Sequence, residues 1–150
     1  ASACGKNGMV YGQFLDIESE SKSLDKESIE NIHALKTGKL IECSVMFGQI
    51  GNPKKNVEKV LKSYGKRIGL AFQITDDILE VTSNKETLGK NTNSDQKNHK
   101  STYASILGLD KAKEKTKSLS KDAIADLETL CSNKVNMLIE LAKYIAYREK

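Results

Sequence analysis

Lys54–Val81, KKNVEKVLKSYGKRIGLAFQITDDILEV, is the most informative stretch of the chain. Within it Val57, Leu61, Tyr64, Ile68, Ala71, Thr75 and Ile78 step by four and three residues. That period predicts one continuous helix from about residue 54 to 82, with a mainly apolar stripe turned toward a core. Pro53 stands at a good helix-start position. The other side of the helix carries Gln73, Asp76, Asp77 and Glu80 at i, i+3, i+4 and i+7, which places four polar groups on one face. Three of them are acids. Two unit charges about 4 Å apart interact by about 4 kcal/mol at an effective dielectric near 20, so such a cluster invites a hard cation. Magnesium suits it: it takes oxygen ligands, keeps several waters, and binds through one or two carboxylates plus phosphate oxygens. A bare DDxxE is most often a solvated acidic face. Here apolar runs flank the acids, IGLAF before and ILEV after, which predicts that they project into a cavity.

Helical patterns recur on either side. Residues 3–20 read as a helix that ends in an acidic, serine-rich loop, IESESKS. A second begins at Leu24–Asp25, capped by Asp25 or Ser28, with Ile29, Ile32, Leu35, Leu40 and Ile41 at roughly helical spacing. Inside it lies Lys36-Thr37-Gly38. A mid-helix glycine costs about 1 kcal/mol relative to alanine. Placed after a threonine, it predicts a kink where backbone carbonyls come free. GQIGNP, Gly48–Pro53, breaks the pattern before the long helix. After that helix Ser83–Asn98 is polar and lacks periodicity, which predicts a mobile loop that orders on ligand binding. Thr102–Leu107 reads as a short helix stopped by Gly108. Asp110 is expected to cap another through about Thr129. A last helix covers about Lys134–Arg148, with Val135, Leu138, Leu141, Ala142 and Ile145 inward.

Composition agrees with an all-α chain. Among 150 residues there is a single proline and no tryptophan, while Lys, Glu, Leu, Ile, Ala and Ser dominate. A net charge of +4 is too small to point to nucleic acid, and aromatics to interleave with the basic residues are few. Cys4, Cys43 and Cys131 form no metal-binding pattern and read as free thiols of a reducing, cytoplasmic compartment. There is no apolar run of about 18 residues to span a membrane, and no signal peptide pattern. The opening ASACGKNGMVYGQFL has no initiator methionine and no cap before its first apolar residues. It predicts a natural protein that begins upstream of Ala1, although a tag remnant or a processed start would look alike.

Three lysines complement the acids: Lys36 at the kink, Lys90 after Gly89, and Lys100 before Ser101-Thr102. Ammonium groups and helix N-termini favour phosphate, although most surface lysines only solubilise. His33 and His99 have no partner at metal-ligand spacing; His33, one turn before Lys36, is read as a packing or capping residue.

Taken together, GQFLD (Gly12–Asp16), KTG (Lys36–Gly38), FQITDDILE (Phe72–Glu80), LGK (Leu88–Lys90) and KSTY (Lys100–Tyr103) occur in an order and spacing that resembles one family. It is the trans-prenyl diphosphate synthases, in the C-terminal half of the bacterial farnesyl diphosphate synthase (geranyltranstransferase) type, and the resemblance runs from about residue 5 to the end. It implies an antiparallel helical bundle of the isoprenoid synthase type, with residues 1–150 as the C-terminal portion of one domain. It also implies a homodimer and condensation of isopentenyl diphosphate with an allylic diphosphate, dimethylallyl or geranyl, by magnesium-assisted ionisation to farnesyl diphosphate.

By the same resemblance Asp76 and Asp77 open the second aspartate-rich motif and hold Mg2+ (or Mn2+). Glu80 replaces that motif's last aspartate and binds directly or through water. Asp95 supports the metal shell from behind. Lys36, Lys90 and Lys100 bind diphosphate; Lys36, Thr37 and Gln73 face the allylic cation; Gln13 and Asp16 lie at the cavity wall. The first aspartate-rich motif and the arginines that follow it in the family are absent from these residues, so the chain alone is expected to be an incomplete catalyst. Two other readings remain: a non-catalytic binding or regulatory subunit derived from the family, and an unrelated basic helical interaction protein.

Overall fold

The computed structural model describes residues 1–20, 22–88 and 101–148. Among them every regular element is helical: α1 (Met9–Glu18), α2 (Lys26–His33), a π-helical turn (Ala34–Gly38), α3 (Lys39–Met46), α4 (Lys55–Leu88), α5 (Tyr103–Leu107), α6 (Leu109–Glu128) and α7 (Asn136–Tyr147), with short 3-10 turns at Phe47–Gln49 and Asn133–Val135.

The long helix α4 is the axis. Its predicted stripe is buried from Leu61 to Ile78, while Val57 is half-buried: Leu61, Tyr64, Ile68, Ala71 and Ile78, joined by Ile74, form the core with Ile29, Tyr103, Leu119, Ala123, Leu127, Ala142 and Ile145. Side-chain pairs fix the directions. Ser63 and Arg67 of α4 both donate to Asp126 of α6, and Arg67 also reaches Asp122, so residue numbers rise on one helix as they fall on the other. Ser120 donates to the Ala142 carbonyl and Lys117 lies over Tyr147, so α6 and α7 are antiparallel too. Tyr64 donates to the Leu138 carbonyl and Thr75 to that of Ile145, so α7 runs parallel to α4. These buried hydroxyls also satisfy carbonyls inside the bundle, as buried polar groups require. Burial raises the Tyr64 phenol well above its ordinary value, so it stays a neutral donor.

The structure corrects several boundaries. Helix α1 starts at Met9 instead of near residue 3. Residues 2–8, which include Gly5 and Gly8, form turns in which the Met9 N–H donates back to the Ala3 carbonyl at 2.9 Å. Asp25 caps α2 by accepting from the Ser28 N–H at 2.8 Å. Helix α4 runs to Leu88, so residues 83–88 of the expected loop are helical; the rest of that loop lies outside the described residues. Gly108, not Asp110, precedes α6, and Asp110 sits in the first turn where its charge favours the helix dipole. Leu141, expected inside, is exposed at 43%, and Leu40, part of the helical pattern around Lys36-Thr37-Gly38, is exposed at 38%. The extra residue of the π turn rotates α3 about its axis, which carries Leu40 outward. Leu141 lies about 100° round the helix from Ala142, which packs inward.

Candidate functional site

Close backbone contacts build the site. A Cβ on Gly12 would lie 2.2 Å from the Lys36 nitrogen, so α1 rests directly on the π turn. On the other side, a Cβ on Gly69 would lie 2.8 Å from the Gly38 Cα, so α4 touches the same turn one helical turn before Gln73. The kink expected at KTG is this turn, in which the Lys39 N–H reaches the Ala34 carbonyl. A π turn widens the helix by one residue and is often found at functional sites.

Between these elements lies a cleft lined by Asp16, His33, Lys36, Gln73, Asp76, Asp77, Glu80 and Thr102. One turn on from Gly12, Asp16 accepts from the Lys36 ammonium at 2.7 Å. The Thr37 hydroxyl donates to Gln73 Oε1 at 2.7 Å, and the Gln73 amide donates to Asp76 Oδ2 at 3.3 Å. Asp76 Oδ1 accepts from the Arg148 guanidinium. Its neighbour Asp77 turns elsewhere: Oδ2 accepts from the Tyr103 N–H at 2.7 Å and lies 3.8 Å from His33 Nε2. The Tyr103 hydroxyl donates to Glu30 at 2.9 Å, and burial, then that hydrogen bond and the Glu30 charge, raise its pKa well above the ordinary value. Ser101 accepts from the Leu24 N–H and donates to the Lys22 carbonyl. The start of α5 is therefore stitched to both the acid helix and α2.

Gln73, Asp76, Asp77, Glu80, Asp16 and Lys36 thus meet in one cleft, with Thr37 bonded to Gln73. Gln13, expected at the cavity wall, is exposed and lies outside the cleft lining, because Gly12 and Asp16 are the inward residues of α1. Lys90, Asp95, Lys100 and His99 lie outside the described residues. One residue of the cleft, His33, and one that bonds it from outside the lining, Arg148, are not marked as functional by the sequence. His33 reads there as a packing residue, although its spacing of one turn from Lys36 points to the same face. Arg148 has no local signal, since its partner is 72 positions away.

The donor set fits magnesium in a specific way. Asp76, Asp77 and Glu80 offer hard oxygens in one cleft, yet among the described residues no three metal-ligating side chains converge closely enough to hold an ion alone. A magnesium ion held by one or two carboxylates, waters and phosphate oxygens needs no such cage.

The family model described as Polyprenyl synthetase matches residues 4–142. The chain is 44% identical over 151 residues to a chloroplastic geranylgeranyl pyrophosphate synthase of Capsicum annuum, covering 99% of this chain and 41% of that protein. It is 42% identical over 154 residues to the farnesyl diphosphate synthase of Escherichia coli, covering 100% of this chain and 52% of that one. Among solved structures, an FPP/GFPP synthase of Zymomonas mobilis superposes with a TM-score of 0.80 at 34% identity, over 96% of this chain and 47% of that chain. A geranyltransferase of Helicobacter pylori, complexed with magnesium and isoprenyl diphosphate, gives 0.75 at 31% identity, over 97% and 48%. The chain therefore spans about half the length of the proteins it matches.

Proposed function

Because this chain belongs to the polyprenyl synthetase family, we propose that it is the C-terminal portion of an all-α prenyltransferase domain that condenses isopentenyl diphosphate with an allylic diphosphate. The observation that carries the proposal is the hydrogen-bonded series Thr37–Gln73–Asp76 in the cleft that also holds Asp77 and Lys36. Such chemistry must stabilise a leaving diphosphate and a carbocation together. Lys36 supplies a cation for the diphosphate, and Lys90 and Lys100 are assigned to the same task. The Gln73 carbonyl and Thr37 hydroxyl offer oxygen dipoles that stabilise positive charge without trapping it as a strong nucleophile would. Asp76 and Asp77 are assigned to Mg2+ (or Mn2+), with Glu80 as an outer member and Asp95 behind. Bound there, the metal would supply Lewis-acid stabilisation of the departing diphosphate.

The non-catalytic alternative is not favoured, because a subunit freed from catalysis has no need to keep lysine, threonine, glutamine and paired aspartates around one cleft. In the full-length protein Asp76→Ala should lower turnover by more than about 100-fold, since even partners behind a metal ligand commonly cost 10–100-fold, while the helical circular dichroism persists. Near-normal turnover in that variant would overturn the assignment.

The product is proposed to be farnesyl diphosphate, in preference to geranylgeranyl diphosphate; chromatography of the dephosphorylated product distinguishes fifteen carbons from twenty. A homodimer is proposed as the assembly, to be checked by light scattering. No helix among the described residues is long and apolar enough to cross a membrane. A cytoplasmic location is proposed, and cell fractionation tests it.

A further inference from the structure

Arg148 already supplies a cation to the acidic face. It follows the last residue of α7, whose end is tied to α4 by the Thr75 hydroxyl donating to the Ile145 carbonyl at 3.2 Å. That tie lies one residue before Asp76. Phe72 and Asp76 stand one turn apart on α4, so ring and carboxylate form a two-part seat. The guanidinium lies over the Phe72 ring, 4.4 Å from its centroid, and bonds Asp76. The Arg148 side chain is only 13% exposed, and its Nε is buried with no hydrogen-bond partner among the described residues. An arginine near the end of a helix ordinarily keeps its head in water. This one gives up that hydration and leaves a donor unmet, a cost that the ion pair and the ring contact offset.

We infer that Arg148 is a positioning residue that serves as the resident counter-ion of Asp76, and that a divalent ion reaches Asp76 only by displacing it. Arg148 thereby sets the metal affinity of the site. The inference rests on Asp76 being a metal ligand. An arginine cannot discharge in a protein, so it cannot stand aside by losing a proton. A guanidinium and a divalent ion repel each other and compete for the same carboxylate oxygen. Metal uptake is therefore an exchange of cations, and whatever favours the Arg148–Asp76 pair weakens metal binding by the same factor. The pair also neutralises Asp76 when metal is scarce, which lets three acids share one helix face.

The test is Mn2+ binding to the full-length protein without substrate, read by electron paramagnetic resonance and, for Mg2+, by calorimetry. Arg148→Gln should tighten Mn2+ binding by about tenfold, within the usual range of coupling between sites, and Asp76→Asn should weaken it. If Arg148→Gln leaves the affinity unchanged or lowers it while Asp76→Asn weakens binding, the inference fails and the metal-site assignment stands. A fall in thermal midpoint alone, with Mn2+ affinity unmoved, would make Arg148 a strut and also overturn it. If Asp76→Asn binds Mn2+ like the parent protein, the metal-site assignment itself fails.

Discussion

Gly12 is the position where a single methyl group does the most damage to the site. Its Cβ would meet the Lys36 nitrogen, the Lys36 Cα and the Leu35 carbonyl carbon at 2.2–2.7 Å, and none of these can rotate away as a side chain could. Gly12→Ala should cost about 3 kcal/mol, the upper part of the usual overpacking range, and should part Asp16 from Lys36. Urea midpoints read the cost. Gly51→Ala, where an added Cβ meets nothing within 4 Å, is the matched control and should be near neutral. Among single residues the sequence is legible wherever chemistry follows helical spacing. Gln73, Asp76, Asp77 and Glu80 fall in one cleft because period 3.6 requires it. Gln13 shares a motif with Asp16 yet is exposed and outside the cleft lining, because a motif names neighbours along the chain without saying which of them turns inward. Arg148 is invisible in the sequence, since only tertiary packing brings residue 148 to residue 76.

Among the elements, α2 shows how a cap carries a pH dependence. Ser28, through its hydroxyl and its backbone N–H, holds the Asp25 carboxyl below its ordinary value of 3.8. A carboxyl whose folded pKa is depressed adds stability above its unfolded pKa and loses it as pH falls through the folded one. The contribution of Asp25 is therefore complete at neutral pH and fades below about pH 4, where the unfolded carboxyl begins to take up its proton. Thermal midpoints of the parent and Asp25→Ala should differ most above pH 5 and draw together toward pH 2. A gap that stays constant over that range would rule the cap out as its source. Most elements can be read from periodicity, and an irregularity at Lys36–Gly38 from the glycine that follows Thr37, although its form as a π turn cannot. The extension of α4 to Leu88 cannot. Residues 83–88 have no apolar stripe, but once a helix is nucleated each added residue gains a hydrogen bond at little further cost, so it overruns its amphipathic part.

For the molecule as a whole, α4 does two jobs with one register. Its 34 residues make a rod about 51 Å long. One end of its described side chains is anchored to α6 and α7 through Ser63, Arg67 and Tyr64. Farther along, Gln73, Asp76 and Asp77 meet the π turn, α5 and the end of α7. The antiparallel neighbours and the continuous core are foreseeable from stripe lengths and breaks. The parallel seating of α7 on α4 is not, because it depends on which face of each helix the others leave uncovered. The shared register limits how this protein can change length over evolutionary time. Removing one residue between Gly69 and Gln73 would turn everything beyond it by about 100° and draw it back about 1.5 Å. The acids would then point away from the cleft, or the anchors would leave the core. Aligned relatives should therefore show no insertions or deletions across residues 61–80, and length variation should gather instead in the turn around residues 50–54. Helix α4 is thus a ruler whose graduations selection cannot edit one at a time, and diversity in the family must be written in the joints on either side of it.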